Sequence, residues 1–145
     1  MLIILVILSN TANTQCVDWQ PISVVNAPPA SSSYKAVWMG DKMMVWSGLT
    51  GALYNPVNDQ WSNISLVNAP NGSGIMVWTG TEVIIYNGSS GGRYNPLSDT
   101  WQSMASAPIG DMYANSVWTG SVMLHFRHKY DPIAAIWSEL ASVNA

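Results

Sequence analysis

Few residues in this chain can do chemistry, and their spacing limits what that chemistry would be. His125 and His128 stand three positions apart, and on a single strand an odd separation sends side chains to opposite faces, so a shared metal ion would require a bend between them. His125 also falls where parallel segments of the chain carry Val45 and Ile85, which favours a buried, hydrogen-bonded histidine over a ligand. Cys16 is the only cysteine, which excludes an internal disulfide and a cysteine-based zinc site of the usual four-ligand kind. Asp41, Asp59, Asp99 and Asp111 are isolated turn formers, whereas glycoside hydrolysis needs two facing acids roughly 5 to 10 Å apart. The one positive cluster is Arg127-His128-Lys129. Its side chains can donate hydrogen bonds where the other segments have loop glycines, so it is a candidate for ligand contact, weighed against an ordinary solvated hairpin tip. Three Asn-x-Ser sequons, at Asn63, Asn71 and Asn87, would accept glycans only on a eukaryotic secretory route and read as chance matches. No catalytic residue, cofactor site or metal ligand is nominated.

Composition narrows the partners and the architecture. The 145 residues suit one domain; 48% are hydrophobic, enough for a real core, and only 9% are charged. Eight Trp, six Tyr, eleven Gly and eight Pro favour short strands and tight turns over long helices. A net charge of -3 leaves no basic stripe to neutralise a phosphate backbone, which disfavours nucleic acid as a partner. The apolar run from Met1 to Leu8 is far short of the roughly 20 residues that span a bilayer, so no transmembrane span is expected. Residues 1–15 read instead as a secretory signal, although no Lys or Arg precedes the run and no clean small-x-small cleavage site follows it. A buried strand is the alternative; acylation at Cys16 is weaker, because Gln15 stands where a small residue is expected. The chain is thus expected to be secreted, periplasmic or on the cell surface.

The elements that must position these residues are set by an internal repeat. Val37-Trp38-Met39-Gly40, Val77-Trp78-Thr79-Gly80 and Val117-Trp118-Thr119-Gly120 recur at intervals of 40 residues. Each is followed by an apolar run, Met43 to Trp46, Val83 to Tyr86 and Met123 to Phe126. Tyr54-Asn55-Pro56, Tyr94-Asn95-Pro96 and Tyr130-Asp131-Pro132 follow at spacings of 40 and then 36, as do Trp61, Trp101 and Trp137. The third unit has therefore lost four residues where the second carries Gly88-Ser89-Ser90-Gly91-Gly92. Within each unit the pattern gives four strands: two that meet at a tight glycine turn, a short third ending at the Tyr, and a fourth at the Trp, set apart by an Asn-Pro turn. Second strands that are apolar throughout must be covered on both faces, as in stacked sheets.

The stretch from Gly91 to Trp101, Gly-Gly-Arg-Tyr-Asn-Pro-Leu-Ser-Asp-Thr-Trp, with the strand ending in Val-Trp-Thr-Gly before it, resembles the kelch repeat of β-propellers in its bacterial secreted form. The resemblance covers roughly residues 16 to 145. It implies an all-β propeller of four-stranded blades in which Gly88 ends a second strand, and Tyr94 and Trp101 pack between blades. It departs from the kelch pattern where Ser47-Gly48 and Asn87-Gly88 replace a Gly-Gly pair, and where Arg127-His128 carries no glycine. Galactose oxidase shares this fold, but its copper site of two tyrosines, two histidines and a cysteine linked to one tyrosine has no counterpart here, because Cys16 falls in register with the turn residues Asn58 and Ser98.

Phase sets the expected blade boundaries. Trp19 with Ser23 to Pro28 matches Trp61 with Ser65 to Pro70, so 16–27 is expected to be a lone outer strand of a closing blade, followed by blades over 28–69, 70–107 and 108–145. About three blades plus one strand make an incomplete propeller, either a fragment lacking further blades or a short subunit that closes a ring by oligomerising. In the first case open blade faces would expose apolar surface and promote self-association. The function expected is a non-catalytic scaffold that presents its loop face to a protein or carbohydrate ligand. The alternative is a piece of an extracellular propeller enzyme, oxidase or sialidase-like, whose catalytic residues lie outside this segment.

Overall fold

The computed structural model describes residues 20–88, 90–107 and 115–141. The proposed signal segment, Cys16, Trp19 and Asp111 lie outside them. Among the described residues there is no helix, hence none long and apolar enough to cross a membrane. The described residues form twelve strands in three four-stranded antiparallel sheets, each a simple meander. The first sheet comprises β1 (Lys35–Trp38), β2 (Met43–Trp46), β3 (Gly51–Asn55) and β4 (Gln60–Asn63); the second β5 (Ile75–Trp78), β6 (Val83–Tyr86), β7 (Gly91–Asn95) and β8 (Thr100–Ser103); the third β9 (Ser116–Trp118), β10 (Met123–His125), β11 (His128–Asp131) and β12 (Ile136–Glu139). First strands lie against one another, β1 with β5 and β5 with β9. This is a blade-built, β-propeller-like fold with the first strand of each blade innermost.

The turns follow from residue type. Gly40, Gly80 and Gly120 all have φ of +100°, and each opens a two-residue turn closed by a backbone bond, from Met39 N to Lys42 O at 2.8 Å in the first blade. Glycine at the first central position is what a type II′ hairpin turn demands. The third-to-fourth turn is an Asx turn: the side-chain oxygens of Asn55, Asn95 and Asp131 accept the N–H of Val57, Leu97 and Ile133 at 2.9, 2.9 and 2.8 Å. Proline fits between them because no ladder bond is required of it.

The core lies between blades rather than within them. On β6, Val83 and Ile85 pack with Met44, Trp46 and Leu53 of the first blade, while Ile84 and Tyr86 pack with Met123 and Tyr130 of the third. Alternate side chains of one strand thus serve two neighbours, which explains a run with no polar position. Each such burial stabilises the fold by about 1.5–3 kcal/mol. Aromatic rings repeat the relationship: Trp46 lies 5.2 Å from Trp101, and Tyr86 lies 5.0 Å from Trp137.

A second repeated device ties each linker to the next blade. Trp61 Nε1 donates to Ser23 O at 2.8 Å, Trp101 Nε1 to Ser65 O at 2.7 Å and Trp137 Nε1 to Ala105 O at 2.9 Å. Beside the first two, Asp59 and Asp99 accept the N–H of the same linker residues, Ser23 and Ser65, both at 2.8 Å. The outer strand expected over 16–27 is centred on Trp19, outside the described residues. Its described remainder, 20–27, carries no ladder and runs as a linker, turning at Asn26 with φ of +60° just as Asn68 turns with φ of +64° in the next unit.

Candidate functional site

The Arg127-His128-Lys129 cluster divides on folding. Only Phe126 and Arg127 form the loop; His128 and Lys129 belong to β11, and His128 is buried. The loop is shorter than a three-residue tip because the four-residue deletion leaves a two-residue turn between β10 and β11, entered by Phe126 at φ +52°. Arg127 is exposed, and its guanidinium carbon stands 5.4 Å from the centroid of the exposed Phe126 ring. Its backbone is fixed, since Leu140 N donates to Arg127 O at 2.7 Å.

The histidine geometry corrects the single-strand expectation. His125 and His128 are directly paired across this turn, one on each strand, so their side chains share a face instead of opposing one another. Ser116 on β9 pairs with His125, and Glu139 on β12 pairs with His128, which aligns four polar residues across the third blade. His125 is buried, shares a 2.9 Å hydrogen bond between Nδ1 and Ser116 Oγ, and meets the Tyr86 ring edge-on at 5.1 Å. It therefore packs between blades as its place among Val45 and Ile85 implied. His128 Nε2 is buried with no hydrogen-bond partner, and the Glu139 carboxylate stands 4.0 Å away. Among the described residues no group of three or more His, Cys, Asp or Glu is placed to hold a metal ion.

The isolated acids have turn and linker roles. Asp41 lies in the first hairpin turn. Asp59 is held below the usual carboxylate range, first by the Ser23 N–H and then by the Tyr54 hydroxyl, which donates to it at 2.6 Å. Burial, then the hydrogen bond to Asp99, pushes the Tyr94 phenol above its ordinary value. Of the sequon residues, Asn63 ends β4, and Asn87 is engaged within the fold: its Nδ2 donates to Asn71 O at 2.6 Å and its Oδ1 accepts Ser90 N–H at 2.8 Å.

An axial cavity of about 250 Å³ opens where the first strands of the three blades begin, lined by Lys35, Ala36, Gly74, Ile75, Met76, Asn115 and Ser116. Its polar members were not singled out from sequence. The available signal was phase: Lys35, Ile75 and Asn115 occupy one repeat position, as do Ala36, Met76 and Ser116, and a position that varies while its neighbours recur is under no common packing demand. In a meander the second-to-third loops lie at the end where the first strand begins, so the cavity mouth and Arg127 share one rim. Comparison of the chain with protein-family models and with curated proteins finds no match.

Proposed function

We propose that this chain is a non-catalytic, extracytoplasmic binding scaffold of kelch type, which presents the rim carrying the second-to-third loops to a protein or carbohydrate ligand. The observation that carries this reading is the Phe126–Arg127 turn. An exposed aromatic ring stacked with a guanidinium, on a two-residue turn between paired strands, is a preorganised contact of the type that dominates binding interfaces. The blades supply rigidity, because their interiors are sealed by interleaved aromatic and aliphatic side chains. The cavity bounded by Lys35, Asn115 and Ser116 supplies hydrogen-bonding groups on the same rim.

The test is capture of ligands by the immobilised chain, wild type against Arg127→Ser and Phe126→Ser, with extracytoplasmic proteins and a glycan array as the two ligand pools. A ligand retained by wild type and lost by both variants supports the reading. Identical retention by all three returns the loop to a solvated hairpin tip.

A further inference from the structure

The rim opposite Arg127, where the first-to-second and third-to-fourth turns gather, carries two clefts in repeat register. The first, of about 210 Å³, lies between the first and second blades, with Asp41 and Lys42 on one wall and Trp78, Pro96 and Leu97 on the other. The second, of about 410 Å³, lies between the second and third blades, with Thr81 and Glu82 facing Trp118, Pro132 and Ile133. Trp78 and Trp118, Pro96 and Pro132, and Leu97 and Ile133 are equivalent residues of successive blades, as are Asp41 and Thr81, and Lys42 and Glu82. Each indole is packed in part against the inter-blade core and is otherwise open to its cleft. Leu97 and Ile133 are 95% and 94% exposed, so their apolar surface does nothing for the core.

We infer that these two clefts are equivalent binding sites for a neutral pyranose ring, a sugar unit of a larger polysaccharide. Three observations select this occupant. Each cleft offers one indole, one proline and one aliphatic side chain against a polar wall, which matches a ring with an apolar C–H face and a hydroxyl perimeter. The charges are compensated internally: Lys42 pairs with Asp41 at 3.5 Å, and Arg93, beneath the second cleft, pairs with Glu82 at 3.2 Å while bonding Gln102 Oε1 and the carbonyl of Pro132. An ionic ligand would find no uncompensated charge. The turn backbones at the clefts are closed on themselves, Met39 N to Lys42 O and Thr79 N to Glu82 O, which leaves no edge for an extended peptide to pair with. Single-ring sites are weak individually, and their repetition at successive blade junctions gives avidity toward a polymer.

The inference rests on the scaffold reading but places its ligand on the opposite rim, so the two are separable. The full chain is passed over insoluble starch, cellulose, chitin and mannan, with alginate as an anionic polymer and a polyproline peptide resin as controls. Wild type, Leu97→Asp with Ile133→Asp, Val57→Asp, and Arg127→Ser are compared, with circular dichroism checking the fold of each. Retention on at least one neutral polysaccharide, reduced tenfold or more in the Leu97/Ile133 variant and unchanged in Val57→Asp, the equivalent exposed position of the first blade that lines neither cleft, supports the sites. Retention on none of the neutral polymers, retention unaffected by the Leu97/Ile133 variant, or retention only on alginate or polyproline overturns them. Loss in Arg127→Ser alone would assign the polysaccharide to the loop rim and overturn the cleft assignment while leaving the scaffold reading standing.

Discussion

The hydroxyl of Tyr94 donates to Asp99 Oδ1 at 2.8 Å, and Asp99 in turn accepts the Ser65 N–H, so one acid fastens the third strand of the second blade to the linker from the first. Tyr54 and Asp59 make the same clamp with Ser23. In the third blade Ala135 stands at the acid position. The buried hydroxyl of Tyr130 is left without a partner, and Ala135 keeps the φ of +55° that Asp59 and Asp99 share at +52°. Alanine pays for left-handed backbone that aspartate tolerates better.

Ala135→Asp is therefore expected to stabilise the chain. Relief of backbone strain and satisfaction of the Tyr130 hydroxyl together give a gain of about 1–2 kcal/mol, read as a rise in Tm. Ala135→Gly separates the two effects, since it removes the strain without supplying an acceptor. A Tm for the Asp variant no higher than that of the Gly variant would show that the third blade does not form the clamp.

Asp59 makes part of the fold's stability pH-dependent. Its carboxyl is held low in the folded state, so its contribution is complete above the unfolded value of 3.8 and is lost as pH falls through the lowered folded value. Asp59→Asn should lower the urea midpoint at about pH 6, and the gap from wild type should narrow progressively as pH falls below 3.8. A gap that stays the same size as pH falls would mean that the carboxylate's charge plays no part in the clamp.

Gly48 stands where the first blade meets the linker to the second. Its carbonyl accepts Gly72 N–H at 2.9 Å, its φ is +100°, and a Cβ at this position would collide with the backbone of Gly72 and Ser73. Gly48→Ala should therefore destabilise by about 2 kcal/mol or more, through strain and a forced separation of the blades. Gly40→Ala is the control: its φ is also +100° but nothing lies within 4 Å of a Cβ there, so only the strain applies. Equal losses at the two sites would remove the packing argument.

The blades were legible because repetition reports what a single unit cannot: Trp-x-Gly, Tyr-x-Pro and Trp in phase mark hairpin, Asx turn and inter-blade ring, and each is found there. The four-residue deletion was equally visible, but its consequence was not. Reading 125 and 128 as one strand gave opposite faces, whereas removing the loop residues brings the turn forward to Phe126-Arg127 and makes the two histidines direct partners. The clefts were hidden for another reason. Their walls come from turns of different blades, so no local segment contains one, and Leu97 and Ile133 look like ordinary turn residues until the neighbouring blade is in place.

Phe126 offers the sharpest test of whether the loop rim is functional. In phase it matches Trp46 and Tyr86, both buried against a tryptophan of the next blade, yet it is exposed and holds φ +52°, a conformation costly for a bulky side chain. A residue kept in strain without a packing return is the pattern expected where a contact surface is preorganised. Phe126→Gly should raise stability by roughly 1 kcal/mol by accepting the left-handed backbone, while removing the ring that Arg127 stacks upon. Thermal melts and ligand capture on the same preparation then move in opposite directions, Tm up and retention down. Tm up with retention unchanged would leave the strain without a function and would turn attention to the axial cavity at Lys35 and Asn115 as the contact surface of that rim.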